Sequence, residues 1–493
     1  MTRRDADRRP TPVILAVDVG TTETKSGLVA LDGRLVALER ATYRIDSEPA
    51  ARRAEQDPED WWTAIVSTSR ALAERPAVDV VAICVDGHGP TLAAVDAEGR
   101  PTRPAITWLD TRAGAEAAEL TAATGLAGWS LGILPAALWL ERREPAVSAR
   151  TAWYLNSWEA IALRLTGIAA TTLVAGGRPP SHEDLAAGGL DARRLAPVAA
   201  AGSSIGGLTA GAARALGLRP GLPVIGGVVD AFASFHGAAL LEPGDAIDVG
   251  GGAGGFGVYW DAPIDAAGAF CTPAPLPGRY VVGGAMAATG KALDWFRDGV
   301  LDGTTTTAAL LDEAAAVPPG AGGVVFLPYL AGERAPLWDP GARGAFVGLR
   351  LDHGRGHLVR AILEAAALAI RHVAEPIVGA GVRVTAMRLA GGPARSESWN
   401  QLKADVTGFP VEVPGVLETA VVGSAILAAV GIGAYPDLLA AIRGMTRIDR
   451  RLEPRPELVA TYDALYRTYL ELHPAIASAL GGARRSAVGA RVA

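Results

Sequence analysis

What this chain has little of narrows its function before any motif is read. Its 493 residues carry 46 Lys and Arg against 52 Asp and Glu, a net charge of −6. The basic excess demanded by phosphate backbones and anionic membranes is missing, so nucleic acid and membrane are not expected partners. Cysteine is nearly absent. Cys84 and Cys271 lie far apart in apolar surroundings and fit no metal-ligand spacing, which argues against a disulfide framework and for a reducing, cytoplasmic setting. Long apolar runs are missing too. The basic start, residues 1–11, is followed by an apolar stretch that Asp18 interrupts, too short for a signal-peptide core. A long uncharged run, 419–436, is rich in Ala and Gly and reads as a buried helix, not a membrane span. Lysine is the scarcest charge: Lys25, Lys291 and Lys403 stand among 43 arginines. Each merits a look, although an isolated lysine is ordinarily a solvated surface charge. What is plentiful is apolar side chain, 49% hydrophobic against 20% charged, enough to bury large cores and to exclude disorder as the main state.

The string PVILAVDVGTTETKSGLVALDGRLVALE reads as three strands joined by a Gly-Thr-Thr turn and an Asp32-Gly33 turn, a β-meander. DPEDWWTAIVSTSRALAE then has helical spacing, and VDVVAICVDGHGP returns to a strand, implying parallel addition to the meander. Trp61 and Trp62 are expected in core and domain packing. Near the midpoint, GLPVIGGVVDAFASFHGAALL runs from a strand through Asp230 into a helix. AIDVGGGAGGFGVYWDAPI then repeats a strand, Asp-Val-Gly and a Gly-rich turn, so Asp248 echoes Asp18 and two similar halves are expected. The organisation read from this is a loose tail at 1–11, a domain over 12–240, a second over 241–482, and a polar, flexible end at 483–493.

Gly252, Gly254 and Gly257 satisfy G-x-G-x-x-G, but a dinucleotide fingerprint needs a helix next, and GVYWD continues as a strand. A Walker loop is missing as well, because Ala292 follows Gly290-Lys291. The turn Asp18-Val19-Gly20-Thr21-Thr22 offers another phosphate loop: backbone N–H groups and two hydroxyls to surround oxygens, Asp18 to hold Mg²⁺ or its waters, and Lys25 as a cation. The same string also reads as an ordinary hairpin whose threonines satisfy the turn. Asp230 reads as a general base or as a helix N-cap.

The chain resembles the FGGY carbohydrate kinases, of the superfamily that includes hexokinase, actin and the heat-shock chaperone ATPases. The likeness is carried by DVGTTETK, EQDPEDWW, PAITWLDTRA, GGVVDAFAS, GKALDWF, FLPYLAGERAPLWDPGARGAFVGL, LVRAILEAAALAIR and LAGGPARSESWNQLKADVTGFPVEV, in the family's order and spacing. It implies an α/β fold of two ribonuclease-H-like, actin-like ATPase domains with an interdomain cleft. It implies ATP and Mg²⁺ as cofactors and transfer of the γ-phosphate to a terminal hydroxyl of a ketose, with xylulose as the leading example and ribulose, glycerol or a pentitol as alternatives. Asp230 falls on the family's catalytic aspartate. Gly20, Thr21, Thr22 and Lys25 with Gly250, Gly251 and Gly290 fall on its phosphate-binding segments, and Asp18 on its metal position. Gly391, Gly392 and Pro393 resemble the adenosine-side loop. His88, Trp108 and Asp110, with Asp230, are the expected sugar contacts, although Asp110 and Arg112 also read as an internal ion pair. The partners implied are the sugar and ATP, and the reading allows a homodimer.

Three departures stand out. Relatives usually place Thr after the first glycine of the second phosphate loop, where this chain has Gly250, Gly251 and Gly252. A lost hydrogen bond to a charged oxygen is worth roughly 1.5–3 kcal/mol, one to two decades in rate. The sugar loop reads Asp86-Gly87-His88-Gly89-Pro90-Thr91 where xylulokinase-like members carry Ser-Gly-Gln-x-His-Gly, and Ala231 stands where some have Asn. These changes leave open a kinase for another sugar, or a non-catalytic nucleotide-binding sensor of the same fold.

Overall fold

The computed structural model describes residues 10–48, 51–126, 128–173 and 181–489, so most of the expected N-terminal tail and residues 490–493 lie outside the described residues. Thr11–Val19 (β1), Glu23–Ala30 (β2) and Leu35–Thr42 (β3) form the antiparallel meander, with Asp18 opposite Lys25. Asp57 caps Pro58–Ala73 (α1) by accepting from the Glu59 N–H, and α1 returns the chain to Val78–Gly87 (β4), which lies parallel to β1. Seven consecutive residues of β1 are buried because strands flank it on both edges and packed elements cover both faces. Ser204–Gly207 (β5) and Pro223–Ile225 (β6) complete a six-stranded sheet in the order β5-β6-β4-β1-β2-β3, and β6 runs on into Asp230–Gly237 (α2). Trp61 is fully buried in its core beside Val17, Leu28 and Ile65.

The second sheet contains Asp245–Asp248 (β7), Gly255–Trp260 (β8), Phe270–Pro273 (β9), Tyr280–Ala285 (β10), Ala386–Leu389 (β11), Val411–Pro414 (β12) and Ile448–Leu452 (β13). Their order is β9-β10-β8-β7-β11-β12-β13. A strand follows the glycines at Gly255, so the geometry of a dinucleotide fold is not met there. Apart from β9, the pattern repeats the first sheet: a meander (β10-β8-β7), two parallel strands (β11, β12), then an antiparallel edge. Each is a ribonuclease-H-like α/β sheet. Helices Lys291–Trp295 (α3), Arg355–Gly379 (α4) and Glu397–Thr407 (α5) accompany the second, with Ile370, Val373 and Ala374 of α4 in its core.

The chain divides into two compact units. One comprises 1–239, 273–277 and 418–447; the other comprises 240–272, 278–417 and 448–493. The sequence reading puts all of 241–482 in one domain, whereas Thr419–Gly431 (α6) groups with the first unit, against β1, β4 and α2. The physical reason is a close crossing of α6 over α2. A Cβ on Gly237 would stand 1.9 Å from the Thr419 carbonyl oxygen, and one on Gly423 would stand 1.8 Å from that of Ala233. Only glycine permits that approach. α6 is buried from Thr419 to Ala429, which accounts for its uncharged composition. Among the described residues no helix is long and apolar enough to cross a membrane. Val459–Gly489 (α7) is helical past 482, into the stretch read from the sequence as a polar, flexible end.

Candidate functional site

In the first unit, the polar residues gather where parallel strands end. Asp18 and Asp86 are register partners at the C-terminal ends of β1 and β4. Gly87 bridges Val229, which places Asp230, the first residue of α2, beside them. Ligands of open α/β sheets bind outside these strand ends, so the location itself is informative.

The cluster is short of cations. Lys25 Nζ lies 3.3 Å from Asp18 Oδ2 and 3.9 Å from Glu418, and Asp18 raises the Lys25 pKa. Asp86 is fully buried and accepts a 2.5 Å hydrogen bond from the Ser424 hydroxyl. Burial first, then the charge of Asp18, holds its carboxyl well above the usual range. Asp230 is partly exposed, and its Oδ1 accepts from the Ala231 N–H. Burial and the neighbouring Asp18 push it up to about 7. Asp18 Oδ1 and Asp86 Oδ1 are buried and accept from no N–H, ammonium or hydroxyl group, while the two carboxyl groups themselves lie within hydrogen-bonding reach of each other. A carboxylate oxygen in that condition is one that a hydrated cation or a substrate hydroxyl can satisfy.

The turn Gly20, Thr21, Thr22 is exposed or half-exposed and held from behind. Tyr43 donates to the Gly20 carbonyl at 2.5 Å, Gln56 to the Thr21 carbonyl at 2.6 Å, and Trp108 Nε1 to Thr21 Oγ1 at 3.0 Å. Trp108 therefore belongs to this turn, and the Thr21 hydroxyl keeps its own proton for another acceptor. His88 is buried edge-to-face on Trp61, its Nδ1 is 2.9 Å from Thr91 Oγ1, and its Nε2 has no partner. Burial lowers it to about 3, so the ring is neutral. Asp110 is committed elsewhere: its oxygens take the Ala54 N–H at 2.7 Å and the Arg112 guanidinium, while Arg112 also meets Glu55 at 2.7 Å. The internal ion pair foreseen as an alternative is thus present.

In the second unit, Gly250, Gly251, Gly290 and Pro393 line one cavity with Trp399 and Lys403. Gly250 has φ +62° and leaves no room for a Cβ, which would be 2.2 Å from the Ala390 carbonyl oxygen. Gly251 has φ +78° and faces open space. Gly391 starts the short turn Gly392–Arg395 after β11, its N–H donating to the Leu417 carbonyl. Behind the glycines, Asp248 Oδ1 accepts from the Gly250 N–H at 3.0 Å and Oδ2 from Lys403 at 2.5 Å, a pair whose side chains are 5% and 4% exposed. Lys403 also sits over the Trp399 ring at 5.0 Å.

Sequence reasoning did not assign roles to Asp86, Ser424, Tyr43, Gln56 or Lys403. The scarcity of lysine was the one signal that pointed at Lys403.

Two family models match, the N-terminal domain of the FGGY family of carbohydrate kinases over residues 13–237 and the C-terminal domain over 250–432. The chain is 31% identical over 420 residues to the xylulose kinase of Escherichia coli K12, covering 80% of this chain and 84% of that protein. It is 28% identical over 495 residues to the gluconokinase of Bacillus subtilis 168, covering 94% and 96%. The ligand-bound xylulose kinase of Lactobacillus acidophilus superposes with a TM-score of 0.83 at 25% identity, over 96% of this chain and 99% of that one. The fold is the two-domain actin-like ATPase fold. Both halves of the chain, in order and nearly end to end, thus place it in the FGGY family of carbohydrate kinases, which are ATP-dependent phosphotransferases with an alcohol group as acceptor.

Proposed function

We propose that this kinase phosphorylates a terminal hydroxyl of a ketopentose such as xylulose, with Mg²⁺ on the nucleotide and Asp230 as the base. The observation that carries the reading is the gathering of Asp18, Asp86 and Asp230 at adjacent strand ends, with Asp230 pushed up to about 7. A carboxylate tuned near neutrality can orient an alcohol and take its proton late in transfer, whereas a helix cap needs no such tuning. Asp18 suits Mg²⁺, because its buried Oδ1 accepts from no N–H, ammonium or hydroxyl group. The bound ion would neutralise charge on the phosphates.

Gly20, Thr21, Thr22 and Lys25 contact phosphate in this reading, and Trp108 sets the Thr21 hydroxyl. In the second unit, Gly250, Gly251 and Gly290 face the phosphates and Gly391, Gly392 and Pro393 the adenosine. The neutral His88, with its unpartnered Nε2, meets a sugar hydroxyl, and Asp110 braces the strand end through Arg112 and not through the sugar. Xylulose is favoured by the relatives so named, but the Asp86 loop has polar groups of its own, and polar groups dominate sugar discrimination.

The test is Mg²⁺-dependent ADP release across xylulose, ribulose, gluconate, glycerol and pentitols, with Asp230→Asn as control. Release is expected with a ketopentose, falling by about 10²–10⁴-fold in the variant. A preference for gluconate or glycerol would overturn the substrate, and undiminished turnover in Asp230→Asn would overturn the base. ADP release from none of the panel, with ATP bound, would favour the sensor reading.

A further inference from the structure

The chain has three lysines, and the fold brings all of them to the two Asp-Val-Gly turns. Lys25 pairs with Asp18 and Lys403 with Asp248. Lys291 is the third, and it makes no ion pair among the described residues. Its position is nonetheless closely set. The N–H groups of Gly290 and Lys291 both donate to the Gly252 carbonyl, at 3.1 and 2.8 Å. A Cβ on Gly290 would stand 2.0 Å from the Gly251 carbonyl oxygen, so this segment lies directly on the glycine turn.

The Lys291 side chain follows the turn. A Cβ on Gly252 would meet Lys291 Cγ at 3.0 Å, Cε at 3.1 Å and Cδ at 3.5 Å. Gly252, unlike Gly250 and Gly251, does not have a positive φ, so its backbone is one that other residues adopt. The lysine stem is what a Cβ at position 252 would touch. Next to it, Gly251 opens on free space and offers no hydroxyl.

We propose that Lys291 is a phosphate-contacting residue of this kinase, its ammonium supplying the donor that the all-glycine turn lacks. The inference rests on the assignment of Gly250, Gly251 and Gly290 to the nucleotide phosphates. A lysine suits the task because its compact charge rides a flexible stem that can lie along a glycine, whereas the planar arginine fork demands room and a two-pronged acceptor. In a chain that otherwise uses arginine, that requirement accounts for a lysine here. The contact recovers, by charge, the interaction forfeited where relatives use a threonine.

The test uses the full chain and its Lys291→Met variant, which keeps the stem and removes the charge. Titration calorimetry with ADP is expected to show binding weakened roughly 10- to 100-fold, the size of one hydrogen bond to a charged group. The KM for the sugar and the melting temperature are expected to stay unchanged, because Lys291 is exposed. ADP affinity within twofold of the parent would overturn the proposal, as would a loss accompanied by a lower melting temperature. Failure of the parent chain to bind ADP at all would instead overturn the nucleotide assignment beneath it.

Discussion

The two Asp-Val-Gly turns occupy the same place in sheets that share a six-strand pattern, yet their carboxylates are partnered in opposite ways. Asp18 retains a buried oxygen that accepts from no N–H, ammonium or hydroxyl group, and its lysine is partly exposed, 3.3 Å away, and shared with Glu23 and Glu418. Asp248 has both oxygens engaged, one by the Gly250 N–H and one by a buried lysine of its own at 2.5 Å. Duplicating a fold copies the frame that points a carboxylate out of a strand end. Whether that carboxylate meets a ligand or fixes a loop depends on which cation the packing supplies. In the first unit the carboxylates outnumber the cations, and in the second a single pair is closed on itself.

The largest effect should come from opening the closed pair. Lys403→Met leaves Asp248 as an uncompensated buried charge, a loss of about 3–5 kcal/mol in such settings. Lys25→Met removes a lysine that stays partly exposed, and it is expected to cost less than Lys403→Met. Urea unfolding followed by tryptophan fluorescence measures both, and equal losses would break the comparison.

A smaller, kinetic difference should separate the aspartates. Asp18→Asn is expected to raise the Mg²⁺ concentration for half-maximal activity about tenfold, as loss of a supporting ligand commonly does. Asp248→Asn is expected to lower stability and leave that concentration near the parental value. If the Mg²⁺ curve moves as far in Asp248→Asn, the second turn also faces the metal and the division of roles is wrong.

The contrast also marks how far the sequence could be read. Asp18 and Asp230 sit at strand-turn and strand-helix junctions, which a local string reports directly, and the meander and its repeat are local patterns as well. The partners that decide each aspartate's use are not local. Ser424 reaches Asp86 across 338 positions, and Lys403 reaches Asp248 across 155. Periodicity shows that α6 is buried; it does not say beneath which sheet. Asp110 marks the limit differently: its motif fits a sugar ligand and an internal brace equally well, and only the positions of Ala54 and Arg112 distinguish them.

A further difference should be a pH response confined to the crowded cluster. With Asp230 pushed up to about 7 from an ordinary 3.8, the proposed base is protonated below neutrality, so kcat/KM should fall about tenfold per pH unit below 7. Stability should respond in the other direction. Between roughly pH 4 and 7 the folded chain holds a proton on Asp230 that the unfolded chain has released, so this group's contribution is full at the acid end and lost as pH rises through about 7. Asp230→Asn has no carboxyl to ionise, and it should melt higher than the parent at pH 8 while turning over far more slowly. A parent whose kcat/KM is flat from pH 5 to 8, and a variant that melts no higher at pH 8, would mean that Lys25 already compensates the first cluster as completely as Lys403 compensates Asp248.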